Sequence, residues 1–259
     1  MPFPQSNLTQ KPPLGTPINF GHPLARGLVL AILPSAGRPI DVVTGRPTSF
    51  TAGAPVYGAH TEGLWLGGTL GFSFAAQTGL DKCTTNCSIF LIGRNPNTAS
   101  YGMQIASVDA VSSGNRLIAF GFDNNGAIAN DTLIARINEI DYGPGATVLG
   151  ASAQLRFHRV GLTYDATAVK FYALGRQVSS TATTSTPGAD ANRSTKFFTN
   201  DYQDTGHGNA QNVLAYVWNR TLTADEMAAL YRNPYAIFSE LPASRYFFSA
   251  GSAAAYTLT

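Results

Sequence analysis

Apolar and polar positions alternate most clearly over residues 157–178, FHRVGLTYDATAVKFYALGRQV. Val160, Leu162 and Tyr164 fall on one side of an extended chain, and Val169, Phe171 and Ala173 do the same further on. Between them, Tyr164-Asp165-Ala166-Thr167 supplies a carboxylate that can fold back onto the backbone, so the stretch predicts two strands joined by a turn. A hairpin with one apolar face needs a second sheet to cover it.

The remaining chain predicts that cover. Residues 24–33, 40–43, 49–51, 63–66, 88–94, 101–108, 116–122, 133–137 and 212–218 read as strands, at the spacing of an all-β sandwich. Asp123-Asn124-Asn125-Gly126 is a hairpin signal, because Asn-Gly tolerates positive φ. The Ser/Thr-rich residues 179–196 read as a long surface loop. One helix is specified: Thr223 and Glu226 form a capping box, and Leu222 and Met227 form a hydrophobic staple. Met227, Leu230 and Tyr231 share one face of it, and Asn233-Pro234 ends it. Residues 1–20, with Pro2, Pro4, Pro12, Pro13 and Pro17, predict an extended arm. Residues 239–259 form an aromatic and small-residue tail containing Tyr246, Phe247, Phe248 and Tyr256. The expected organisation is an arm over 1–20, a sandwich over 21–238 and a tail over 239–259.

Composition narrows the partners. Of the 259 residues 44% are hydrophobic, enough for a sizeable core, and only 12% are charged, about half the usual share. With a net charge of +2 and no Lys/Arg run, nothing marks a nucleic-acid footprint. No apolar stretch approaches the length of a membrane span, and the first residues carry no secretory signal pattern. Cys83 and Cys87 have no second pair or His cluster to make a zinc site; a local disulfide and two free thiols both fit them.

The hairpin resembles the WHHVAVTYDGSTVKLYVDGKLV element of laminin-G-like, concanavalin-A-like jelly-roll domains, and NVLAYVWNRTLTADEMAALY resembles their closing strand and short helix. SIFLIGR and GLWLGG match further elements, and the likeness covers about residues 21–238. It implies an all-β, two-sheet antiparallel jelly-roll sandwich with one short helix. Ala166 stands where the family has Gly, and Leu174 where it often has Asp. Calcium, which such domains hold through converging oxygens, has no matching ligand set here and stays open; no other cofactor is implied. KPPLGTPINFGHPLARGLV and NPYAIF with the tail after it are similar to the ends of such proteins from tailed bacteriophages.

Candidate chemistry is sparse. Concanavalin-like glucanases carry E-x-D-x-E on one strand; here Glu139 and Asp141 fit the first two places and Gly143 takes the third. A retaining glycosidase needs two carboxyls about 5–5.5 Å apart across the sugar, so the acid is missing. His22, His60, His158 and His207 are scattered, with His158 at the family's strand-start position. Gly67-Gly68-Thr69-Leu70-Gly71 lacks the Lys-Ser/Thr of a phosphate loop. The polar loop 201–208 contains Tyr202, which can stack on a sugar. No G-x-S-x-G elbow occurs.

These readings give no catalytic, cofactor-binding or metal residues, and the expectation is a chain that is not an enzyme. Its expected role is structural, on the exterior of a phage head within the virion. The expected partners are the major capsid protein and copies of itself, with no nucleic acid and no membrane. The alternatives are a glycan-binding module that contacts host surface sugars and, third, a polysaccharide hydrolase.

Overall fold

The computed structural model describes residues 11–12, 15–34, 39–52, 56–61, 63–67, 71–73, 79–96, 101–108, 116–123, 132–138, 140–144, 148–149, 156–183, 185–186, 194–197 and 210–238. Its strands are β1 (Leu28–Ile32), β2 (Ser49–Ala52), β3 (Val56–His60), β4 (Gly63–Gly67), β5 (Gly71–Ser73), β6 (Cys87–Arg94), β7 (Tyr101–Val108) and β8 (Arg116–Asp123). There follow β9 (Thr132–Ile137), β10 (Ile140–Tyr142), β11 (His158–Tyr164), β12 (Ala168–Ala173), β13 (Arg176–Ala182), β14 (Ser194–Phe197), β15 (Gln211–Trp218) and one helix, α1 (Ala224–Arg232). One sheet runs β13-β12-β11-β6-β15-β4-β3, with β1 on β15 beside β4; the other runs β10-β9-β8-β7-β14-β5-β2. The two antiparallel sheets form the sandwich that the alternation predicts, consistent with the jelly roll that the resemblance implies.

The hairpin of residues 157–178 builds the first sheet. Val160 pairs with Ala173, Leu162 with Phe171 and Tyr164 with Val169, and all six side chains enter the core between the sheets. The Asp165 carboxylate accepts from Thr167 N, Thr167 Oγ1 and Ala168 N at 3.1, 2.6 and 2.9 Å, closing the turn. From the opposite sheet, Ile105, Ile118, Phe120, Leu133 and Phe197 fill the same core.

β6 and β15 read as continuous apolar runs because both their faces are covered. Ile89, Leu91, Ala215 and Val217 point between the sheets, while Phe90, Ile92, Leu214, Tyr216 and Trp218 point into a second apolar layer outside. That layer is roofed by α1. Its capping box forms as the sequence predicts: Thr223 Oγ1 accepts from Glu226 N at 3.2 Å, and Glu226 Oε2 accepts from Thr223 N at 2.8 Å. Leu222, Met227 and Leu230 are buried against the sheet. Met227 lies where a Cβ on Gly161 would come within 2.9 Å of its sulfur, so glycine lets the helix sit close. Met227, left fully exposed, would forgo about 1.5–3 kcal/mol of apolar burial.

Several expectations change. Residues 179–196 are not one loop: β13 runs into them as far as Ala182 and β14 starts in them at Ser194, paired to β12 and β7. Ser/Thr side chains on an edge strand with a wet face hide its period. β8 and β9 pair antiparallel from Asp123 and Thr132, and the Asn124-Asn125-Gly126 turn signal lies outside the described residues. Residues 24–33 split into a 3₁₀ turn at Pro23–Ala25 and β1, separated by Gly27 at φ +75°. Residues 40–43 make isolated bridges only, organised by buried Asp41, whose carboxylate accepts from Ala31 N, Val43 N and Thr44 Oγ1. In the proline-rich stretch Ile18 joins the outer layer and Asn19 N donates to Ile237 O at 2.8 Å. Cys83 and Cys87 are free and buried. Among the described residues no helix is long and apolar enough to cross a membrane.

Candidate functional site

Of the two carboxylates singled out by the sequence, the described one, Asp141, is committed to an ion pair. β10 begins at Ile140, and Glu139 lies outside the described residues. Asp141 pairs in register with Arg136 on β9 and holds its guanidinium in two hydrogen bonds of 2.5 and 2.6 Å. Such a bidentate pair occupies both oxygens of the carboxylate. Tyr142 turns inward, its hydroxyl 2.5 Å from Thr183 Oγ1, and Gly143 follows the strand without a side chain to offer.

The described histidines each have an apolar or backbone partner. His22 Nδ1 accepts from Leu24 N at 3.1 Å and caps the 3₁₀ turn, and burial holds its pKa below the ordinary histidine range. His60 stacks 4.6 Å from Phe157, and His158 lies 6.4 Å from Phe122. His207, Tyr202 and residues 68–70 lie outside the described residues, while Gly67 ends β4 and Gly71 starts β5. Among the described residues no group of three His, Cys, Asp or Glu side chains is placed to hold a metal ion.

A different constellation gathers at one end of the first sheet. The entry to β11, the β12–β13 turn and the last turn of α1 meet around a cleft of about 240 Å³, lined by Leu149, Phe157, His158, Arg159, Leu174 and Tyr231. Leu174 also lines an adjoining cleft of about 360 Å³ with Val148, Arg176, Gln177 and Val178. The turn between them is Leu174-Gly175, closed by the Ala173–Arg176 pair, with φ +54° and +76°. Two positive φ values make this the tight hairpin turn that favours Asn-Gly. Leucine there is strained, and its side chain is 56% exposed. Gly175 has a second reason to be glycine: a Cβ would lie 3.1 Å from the Tyr231 ring, which packs over the turn.

Cations and rings alternate along this end. The Arg159 guanidinium sits 5.7 Å from the Tyr231 ring centre and donates to Tyr231 O and to Arg232 O, satisfying carbonyls at the helix C-terminus. The Arg94 guanidinium lies 4.8 Å over the Phe157 ring and donates through Nε to Gln211 Oε1 at 2.7 Å; burial lowers its pKa. Trp65 flanks Phe157 at 6.5 Å. No described carboxylate lines either cleft. Ring and aliphatic faces beside fixed guanidinium donors match what a saccharide presents, apolar C–H faces edged by hydroxyls. The sequence carries one sign of this place, the departure at Leu174; the meeting of Phe157, Arg159 and Tyr231 depends on how α1 docks.

No protein-family model and no curated protein matches the sequence. Solved structures do match in fold. Domain 4 of a GH43 extracellular arabinanase from Geobacillus stearothermophilus, in complex with arabinotriose, superposes with TM-score 0.60 at 15% identity, covering 79% of this chain and 98% of that one. Trypanosoma rangeli sialidase gives TM-score 0.58 at 13% identity over 83% of this chain, which spans only 34% of the sialidase. The binding domain of Paraclostridial Mosquitocidal Protein 1 gives 0.59 at 13%, with 82% and 53% covered. At such identities the likeness shows the fold, a β-sandwich found in carbohydrate-binding and glycosidase-associated proteins. It corrects the expectation that the chain is not an enzyme. Two of these matches are an arabinanase domain and a sialidase, so neither the fold nor the incomplete Glu139/Asp141 pattern excludes catalysis. None of the three is a phage protein.

Proposed function

We propose that this chain is a glycan-binding module whose saccharide site is the paired cleft around Phe157, Arg159, Leu174 and Tyr231. The observation that carries the reading is Leu174, a large apolar side chain left mostly exposed on a strained turn between two clefts. Strain of this kind clusters at binding and active sites. Support also comes from the arabinanase domain, described in complex with arabinotriose and similar over nearly its whole length. A glycan array probed with the intact chain tests the reading. The expected result is reproducible capture of one saccharide class, weakened in Leu174→Asn; a folded chain that captures none overturns it.

The second reading is attachment to a phage particle, through contacts with the capsid protein or with further copies of the chain. Phe20 favours it: next to the docked Ile18 and Asn19 it is 63% exposed, an apolar anchor of the sort extended segments lay on a neighbour. Sedimentation with particles lacking the protein tests it. Pelleting of the intact chain, lost when residues 1–20 are removed, is expected, and a chain that stays in the supernatant argues against it.

A further inference from the structure

The same site carries a choice of ligand charge, and the inference rests on the glycan-binding reading. We infer that the groove selects acidic glycans, bearing carboxylate or sulfate groups, over neutral ones. Guanidinium groups concentrate here in a chain whose net charge is only +2. Arg159 and Arg176 line the clefts, Arg94 is fixed over Phe157, and Arg156 and Arg232 flank Phe157 and Tyr231 in the chain. The side chains of Arg156, Arg176 and Arg232 are exposed and make no hydrogen bond or ion pair with the described residues.

The carboxylates whose side chains are described are held elsewhere. Asp165 lies at the far end of β11 from His158, about 20 Å along the strand at ~3.3 Å per residue. Asp225 and Glu226 occupy the first turn of α1, while Tyr231 and Arg232 end it. Asp141 is neutralised by Arg136, and Asp41 is buried under its own hydrogen bonds.

The division of labour is chemical. Arg159 and Arg94 have donors committed to protein acceptors and supply fixed positive potential beside the rings. The uncommitted forks of Arg176 and Arg156 suit the two-oxygen edge of a carboxylate or sulfate. Exposed pairs of this kind are screened by salt, so binding to an acidic ligand should weaken as ionic strength rises.

The test is calorimetric titration of the whole chain, and of Arg176→Gln and Arg156→Gln, with five probes. These are a sulfated heparin-derived hexasaccharide, an oligogalacturonate, neutral arabino- and malto-oligosaccharides, and a single-stranded oligonucleotide. The expected result is binding of an acidic oligosaccharide at least about tenfold tighter than the neutral ones, weakened about three- to tenfold in each variant and by raising salt from about 50 to about 500 mM. Preference between the sulfated and the carboxylated probe identifies the acidic group, and either preference supports the inference. Neutral oligosaccharides bound equally well and without salt dependence would overturn it while leaving the glycan-binding reading standing. Binding of no saccharide would overturn that reading as well. An oligonucleotide bound more tightly than any glycan would overturn the inference in favour of a nucleic-acid partner.

Discussion

Replacing Leu174 with Asn separates what stabilises the turn from what the turn is for. At φ +54° an L-residue other than Gly or Asn carries about 1–2 kcal/mol of steric cost, and Asn relieves most of it through local hydrogen bonds. Against that gain stands lost packing. Leu174 is 56% exposed, so a little under half of its side chain touches protein. A fully buried leucine is worth about 1.5–3 kcal/mol, and forgoing that share costs about 0.7–1.3 kcal/mol. The variant should therefore range from equal stability to about 1 kcal/mol more stable, a melting shift of zero to about 4 °C. A saccharide covering the exposed half of Leu174 gains a similar apolar contact, so the variant should bind about three- to tenfold more weakly. Chemical denaturation and titration of the same preparation read both quantities. Destabilisation beyond about 2 kcal/mol would refute the strain argument. Unchanged affinity for a bound glycan would remove Leu174 from the site.

Three further outcomes follow from the packing. Thr223→Ala should cost about 0.5–2 kcal/mol in urea denaturation, because Glu226 N loses its acceptor; an unchanged midpoint would show that the cap does not hold α1 in place. Gly93→Ala should cost about 1–3 kcal/mol, since its Cβ would fall 2.3 Å from Asn212 Oδ1 and 2.9 Å from the Gln211 carbonyl oxygen; wild-type stability would mean that β6 and β15 separate freely there. Arg220 first, then the Thr223 backbone, hold the Glu226 carboxyl below the usual range, and the Thr167 hydroxyl first, then backbone N–H groups, do so for Asp165. Folded values below unfolded ones mean stability that is complete above about pH 5 and lost as pH falls through the depressed values. The urea midpoint should hold from about pH 7 to 5 and drop below about pH 4, and a midpoint flat down to about pH 2.5 would contradict this.

The parts of the fold governed by local pattern were legible in the sequence. Val160, Leu162 and Tyr164 alternate because one face of β11 meets the core, and Thr223 with Glu226 announces α1 through chemistry contained in four consecutive residues. β13 was hidden because Ser179, Ser180 and Thr181 sit on an edge strand, where burial imposes little alternation. β3 was hidden by Gly58, which has no side chain because the Trp65 indole fills its Cβ position at 2.3 Å. The site was the least legible part. Phe157 and Arg159 read as strand residues and Tyr231 as a core-facing helix residue; only the docking of α1 brings them together with Leu174. Asp141 misled in the opposite direction, since its partner Arg136 is set by strand register rather than by a motif.

The account turns on where a saccharide sits. Titrating the isotope-labelled chain with an acidic oligosaccharide and following backbone amide shifts locates it directly. The account predicts that perturbations cluster at residues 148–149, 156–159, 174–178 and 231–232. A cluster on the outward face of the second sheet, around Ala106, Ala119 and Arg136, or no perturbation at saturating ligand, would contradict it.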